Sequence, residues 1–349
     1  MTRPDPRPFL TRLLEPASIE EQAPVARVLT YALLILWSLV VLIPLYWVFI
    51  TAFKGPGEVD NGPFYLPFVD FRPNLDAWRF MLIENNTLGP YLNSVVVALG
   101  STVLAVVIGA LAAYALVRIR FRVKLVAVAI FLLLLVGVIV AVVTFDVGWP
   151  LAIAVALALF LLALTTLGRR TTAALGNNDI EFWIISNRIM PPIVAVLPIY
   201  VMFQQLRLLD TQVALIATYT AVNLPIVVWL TRDFFAGIPI DLEESAELDG
   251  ASKFRVFFTI ALPLVRSGLV ATFLLVLILA WNEYLLALFL SNANAQTMPV
   301  LVSAQNTTRG PQWWNMSVLI VVMIAPVVII ASVLQKHIAR GLLVGAVKG

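Results

Sequence analysis

Residues 244–263 read ESAELDGASKFRVFFTIALP, nearly the only long polar stretch in the second half of a chain otherwise built of apolar runs. Glu243, Glu244, Glu247 and Asp249, then Lys253 and Arg255, stand among good helix formers, with apolar runs on either side. Such a segment is expected to form short helices outside the lipid, on the cytoplasmic side, where a soluble partner can grip them. Ala246 and Gly250 are four residues apart, a spacing that sets both on one helical face and lets a partner surface approach closely, while Glu244 can meet a basic group there. Gly250 also permits a turn that a Cβ would strain, and Pro263 ends or kinks the helical segment that follows.

The rest of the chain sets the class. With 61% hydrophobic and 12% charged residues and a mean hydropathy of +0.96, it carries more apolar surface than a water-soluble core of this length can hide. The pI of about 9.3 does not point to nucleic acid, because the basic residues sit at the ends of apolar runs rather than in one patch. Cysteine is absent and His337 is the only histidine, which excludes disulfides, thiolate metal sites, cysteine nucleophiles and histidine clusters. The first apolar run begins near Val28, is long enough to span, and has no small-residue cleavage site nearby, so no secretory signal is expected.

Eight apolar segments can be drawn, at roughly 28–53, 90–117, 124–145, 149–167, 182–206, 212–235, 267–290 and 315–337. A span needs about 20 apolar residues, and these runs are too long and too uniform for barrel strands. The expected fold is therefore all-α, a polytopic membrane protein. If the N-terminus is cytoplasmic, the external loops hold only Lys54, Arg72, Arg79, Arg207 and Arg309 of the 23 basic residues, as the positive-inside rule requires. Arg118, Arg120, Arg122 and Lys124 then close the second span inside, Arg169 and Arg170 close the fourth, and both termini are cytoplasmic. The expected organisation is a cytoplasmic segment 1–27 followed by a transmembrane domain 28–349, with a periplasmic-side loop 54–89 and a cytoplasmic polar loop 236–266. Most tryptophans fall near the proposed interfaces, where indoles act as anchors.

The order Glu-x-Ala, three residues, Gly, nine residues, Ile-x-Leu-Pro is met by Glu244, Ala246, Gly250, Ile260, Leu262 and Pro263, with Asp249 and Ala251 inside the same run. This closely resembles the coupling-loop motif of permease subunits of binding-protein-dependent ABC importers, with Ser245 where alanine is usual. Asn93-Ser94, AAYALVRIRF at 112–121, ISNRIMPPIVAVLPIY at 185–200, LLDT at 208–211, Trp281-Asn282-Glu283-Tyr284 and the C-terminal GLLVGAVKG resemble the carbohydrate branch of that family, the maltose and trehalose type. The resemblance implies a MetI-like core of six helices in a bacterial or archaeal inner membrane. It also implies a second permease subunit, expected as a heterodimer, two ATP-binding subunits that carry ATP and Mg, an extracytoplasmic solute-binding protein, and a sugar or polyol as substrate. It assigns ATPase coupling to Glu244, Ser245, Ala246, Asp249, Gly250, Ala251, Ile260, Leu262 and Pro263. One block departs from the family pattern: at 124–178 two extra apolar runs, joined by Asp146-Val147-Gly148, make an inserted hairpin that leaves and re-enters on one side. Its faces are Leu, Val, Ala and Ile without an intramembrane charge, which reads as a peripheral, lipid-facing addition, a regulatory or partner-docking role being the alternative.

Polar residues inside apolar runs need partners. Asn223, Asn282 and Glu283 are candidates for the substrate pathway, where they would meet sugar hydroxyls or tie helices together. Arg188 is read as snorkelling, and Pro191-Pro192 is a candidate hinge because it breaks the helical ladder. No G-x-x-x-x-G-K-[ST] loop occurs, so no cofactor is expected on this chain and ATP hydrolysis belongs elsewhere. The alternative is an ion-gradient-driven secondary transporter. Such a protein places a coupling carboxylate near the bilayer midplane, whereas here the acids lie in loops, Glu283 excepted. An intramembrane enzyme would need convergent nucleophile, base or metal ligands, and none are apparent.

Overall fold

A computed structural model describes residues 8, 23–145, 147–166, 174–308 and 310–346, the side chains of residues 143, 166 and 334–346 excepted. Asp146, Arg169, Arg170, Arg309, most of segment 1–27 and the side chain of His337 therefore lie outside the described residues. The long helices, in chain order, are α1 Pro24–Thr51, α2 Leu88–Arg118, α3 Leu125–Phe145, α4 Trp149–Thr166, α5 Asn177–Ser186, α6 Pro192–Gln205 and α7 Gln212–Ala236. They are followed by α8 Ile240–Leu248, α9 Arg266–Trp281, α10 Leu285–Leu290 and α11 Trp313–Ala346. By internal contacts the chain divides into two units, Met1–Leu88 with Leu301–Pro326, and Gly89–Val300 with Val327–Gly349.

Among the described residues, five helices are long and apolar enough to cross a membrane: α1, α2, α3, α7 and α11. A sixth is reached if Lys253–Leu264 and α9, bent by 79° at Val265, count as one span, while α4 and α6 are shorter apolar helices. Two of the expected spans are broken. The run 182–206 is divided between α5 and α6, because Pro191 and Pro192 lack amide donors and their rings exclude the carbonyls of Asn187 and Arg188 from a continuing helix. The run 267–290 is divided at Asn282–Tyr284, where the Glu283 carboxylate accepts from the amide of Leu286 (3.0 Å) and starts α10.

Within the second unit the core forms where α2, α7 and α9 meet, and two glycines set how closely they approach. A Cβ at Gly109 of α2 would stand 2.5 Å from Cγ1 of Val227, and one at Gly268 of α9 would stand 2.5 Å from the ring of Phe234. Thr211 caps α7 through its hydroxyl, which accepts from the amide of Ala214 (3.3 Å). Helices α3 and α4 pack on each other, and a two-residue antiparallel ladder, Val123 against Leu175 and Lys124 against Ala174, closes the chain at their base.

Candidate functional site

The polar loop forms the short helices its sequence suggests. Asp241 and Glu243 lie in the first turn of α8, where the positive end of the helix dipole favours them. The helix closes with a Schellman turn: the amide of Ala251 donates to the carbonyl of Ala246 (3.0 Å) and that of Gly250 to Glu247 (3.0 Å). Gly250 has φ +86°, so the turn requires glycine for its backbone. This corrects one expectation. Gly250 lies past the end of α8 and does not share a helical face with Ala246, and a Cβ there would meet nothing within 4 Å. Ser252 then caps Lys253–Val256, Lys253 pairs with Glu247, and a π-turn over Phe257–Ala261 leads into Leu262–Leu264 and the bend. Glu244, Ser245, Asp249 and Pro263 are exposed, whereas Ala246, Ala251, Ile260 and Leu262 are half-buried. The apolar side chains of Leu248 and Phe254, 90% and 72% exposed, flank the Gly250 turn.

Beside the exposed Glu244 stands a carboxylate that faces inward. Glu243 is buried, 4% exposed. Its Oε2 accepts from the Tyr114 hydroxyl (2.7 Å) and its Oε1 accepts from Nε of Arg118 (2.8 Å), with Nη2 of the same guanidinium 2.8 Å away in the ion pair. Arg118 also donates from Nη2 to the carbonyls of Phe235 (3.2 Å) and Ile238 (2.9 Å) at the end of α7. One guanidinium thus joins the C-terminal ends of α2 and α7 to the first turn of α8. Rings of Tyr114, Phe235 and Phe257 pack around it, with centroids 5.0 to 5.9 Å apart. A charge pair this buried and this fully bonded is costly to break, because removing one partner strands the other. The pair Glu243-Glu244 carried a signal: adjacent positions on a short helix point in different directions, so one of them faces inward.

A second set of ties lies at the other end of α2 and α7. Asp210 Oδ1 accepts from the amides of Asn292 (2.8 Å) and Ala295 (2.9 Å), and its Oδ2 accepts from the Asn294 side chain (2.9 Å). Asn93 donates to the carbonyls of Asn294 and Gln296 and accepts from Gln212 (2.6 Å), while Ser94 accepts from the amide of Met298 (2.7 Å). Burial pulls the Asp210 carboxyl upward, but the donors from Ala295, Asn292 and Asn294 outweigh it and hold it below its ordinary value.

Between these ends, both helix breaks open onto one cavity of about 440 Å³, lined by Asn187, Arg188, Pro192, Pro225 and Glu283 among others. Arg188 Nη1 donates to the carbonyl of Val222 (3.2 Å), and the Tyr219 hydroxyl donates to that of Glu283 (3.2 Å). Of the expected pathway residues, Glu283 alone lines this space. Asn223 is buried and its amide donates to Tyr219 of its own helix (3.0 Å), and Asn282, though exposed, donates to Ile278 of its own (2.8 Å). Pro191 caps the break, and Pro192 faces the cavity. Among the described residues no group of three or more His, Cys, Asp or Glu is placed to hold a metal ion.

Residues 177–344, from α5 through the polar loop into α11, match the family described as the binding-protein-dependent transport system inner membrane component. The trehalose transport system permease protein SugB of Mycobacterium tuberculosis is 30% identical over 88% of this chain and 93% of its own. The diacetylchitobiose uptake system permease protein NgcG of Streptomyces coelicolor is 28% identical over 89% of this chain and 85% of its own. The fold resembles a chain of a bacterial ABC transporter involved in the import of the acidic polysaccharide alginate, with a TM-score of 0.59 at 20% identity, covering 90% of this chain and 97% of that one. With matches that run almost end to end and a family region that contains the polar loop, the chain belongs to the inner-membrane permease subunits of binding-protein-dependent ABC importers, transport proteins rather than enzymes.

Proposed function

We propose that this subunit passes a sugar or polyol, delivered by an extracytoplasmic solute-binding protein, into the cytoplasm by alternating access driven by ATP hydrolysis on separate subunits. The relatives named for trehalose and diacetylchitobiose support the substrate class. The observation that carries the mechanism is the bolt of Glu243 to Arg118 and Tyr114. A loop helix fastened in this way moves with the ends of α2 and α7, so a push on α8 reaches the membrane helices as a rigid displacement. In this reading Glu244, Ser245, Ala246, Asp249, Gly250 and Ala251 form the surface an ATP-binding subunit grips, and Ile260, Leu262 and Pro263 form the stem behind it. ATP and Mg stay on the two ATP-binding subunits, and a second, different permease completes the pore.

The same reading puts the polar loop and both termini in the cytoplasm, with eight spans in all: six core helices, α5–α6 acting as one broken span, and the hairpin α3–α4. The cavity beside Glu283 and Arg188 is large enough for a small sugar, and the Pro191-Pro192 break supplies the hinge. Reconstituted complexes test the coupling. Gly250→Val, which forces a β-branched residue into a positive-φ turn, and Glu244→Lys should each abolish stimulation of ATP hydrolysis by the sugar-loaded binding protein while the subunit still inserts. Normal stimulation and uptake in both variants would remove this loop from the mechanism. Uptake that survives a hydrolysis-dead ATPase but stops without an ion gradient would favour a secondary transporter instead.

A further inference from the structure

We propose that the turn Leu66–Val69 is a membrane-interface anchor, an apolar knob that seats in the boundary between lipid headgroups and acyl chains beside the C-terminal end of α1. The turn exposes Leu66, Phe68 and Val69 together, Phe68 being 83% and Val69 77% exposed. Phe68 holds φ +66°, a conformation that costs a bulky residue free energy and persists only where its surroundings enforce it. Asp70 enforces it. Its Oδ2 accepts from the amides of Tyr65 (2.9 Å) and Leu66 (2.8 Å), its own amide donates to the carbonyl of Leu66 (2.9 Å), and the Phe68 amide donates to Phe71 (2.8 Å). Lys54 backs the arrangement from a buried position over the rings of Trp47 and Phe71 and donates to the carbonyl of Phe64. The strain therefore serves to hold an aromatic ring out from the loop.

The position of the knob along α1 identifies what meets the ring. The Tyr46 hydroxyl donates to the carbonyl of Tyr65 (2.6 Å), and the rings of Trp47 and Tyr65 lie 5.4 Å apart. Tyr46 is five residues before the end of α1, about 7–8 Å along its axis, the level at which tyrosine and tryptophan concentrate at membrane surfaces. The knob continues the exposed apolar surface that α1 carries from Val28 to Phe49, and the Asp70 carboxylate is spent on the turn's own backbone. Lipid, rather than the solute-binding protein, is the partner this surface fits.

The chain has no cysteine, so single cysteines report cleanly. In the full complex in phosphatidylcholine nanodiscs, bimane attached at Phe68→Cys or Val69→Cys should be quenched by lipids spin-labelled near the top of the acyl chain at least about twofold more than bimane at Asp60→Cys, with or without binding protein. Two adjacent positions guard against disruption of the turn by either label. Equal quenching at residues 60, 68 and 69 would overturn the proposal. So would probes at 68 and 69 that ignore the lipid label and change emission only when the solute-binding protein is added, which would make the knob a protein contact.

Discussion

The loop helix α8 and the hairpin α3–α4 are attached to the same set of helices in opposite ways. The first is short and polar, yet it is fastened by a buried carboxylate that takes two hydrogen bonds and an ion pair from α2. The second is long and apolar, and none of the window Leu125–Val142 is buried. Its two helices touch each other, with Phe131 and Phe160 6.1 Å apart, and join the rest through the Val123–Leu175 ladder and through Asn177, which donates to the carbonyls of Leu116 and Ile119 and accepts from the amide of Phe121 (2.8 Å). Lipid is as apolar as leucine, so an exposed apolar helix in a bilayer needs no protein cover. In the proposed function the polar loop transmits force, which needs a rigid tie, and a desolvated ion pair supplies one.

The sharpest way to break this comparison is Arg118→Leu, which strands Glu243 in a buried position. We expect a loss of about 3–5 kcal/mol, seen as a large drop in the melting temperature of the purified complex together with lost uptake. The double variant Arg118→Leu/Glu243→Leu should recover much of the stability but not the uptake. A single variant as stable as the parent would mean that the bolt does not hold the loop. Next in size is a pair of glycine substitutions. Gly268→Ala drives a methyl group into the ring of Phe234 and should cost about 1–3 kcal/mol. Gly137→Ala in α3 meets nothing within 4 Å and should be neutral, or stabilising by up to about 1 kcal/mol through helix propensity. Equal effects on the two melting curves would show that the hairpin is packed as tightly as the core.

A smaller effect is expected from pH. Because the folded-state value of Asp210 is depressed, its contribution is fully present above the unfolded aspartate value of about 3.9 and is lost as pH falls through the lower folded value. Asp210→Asn should therefore be less stable than the parent at neutral pH and should lack that part of the acid decline; matching stability profiles from pH 7 to pH 3 would dismiss the clamp. The smallest effect should come from the largest change. The ladder brings Lys124 opposite Ala174, so replacing residues 125–173 by Asn-Gly should close a tight hairpin and leave uptake by the assembled complex within about twofold of the parent. Collapse of assembly would mean that the hairpin supports the core.

Much of this was legible in the residues. Pro191-Pro192 announces a break wherever it falls, since two consecutive missing donors cannot be hidden in a helix. Gly250 was legible as a turn residue, though its distance from Ala246 suggested a shared face that the early end of α8 removes. Asn223 and Asn282 are candidate pathway residues because polar groups in apolar runs need partners, and each makes one bond to its own helix, a local contact that composition does not distinguish from a ligand contact. Arg188 was read as a surface-seeking cation, yet it lines the same cavity as Glu283.

The sequence by itself determined the membrane class, the polar loop with its motif and the helix break at Pro191-Pro192, since these follow from composition, spacing and the missing amides of proline; the proline-free break at Asn282–Tyr284 it did not show. Only the tertiary structure decided that Glu243 rather than Glu244 is the buried anchor, that Glu283 and Arg188 share a cavity, and that Phe68 is held outward in a left-handed turn. Those outcomes depend on which distant elements approach a residue. Tyr114 and Arg118 reach Glu243 across more than a hundred positions of chain, and no local pattern encodes burial created by a neighbour that far away.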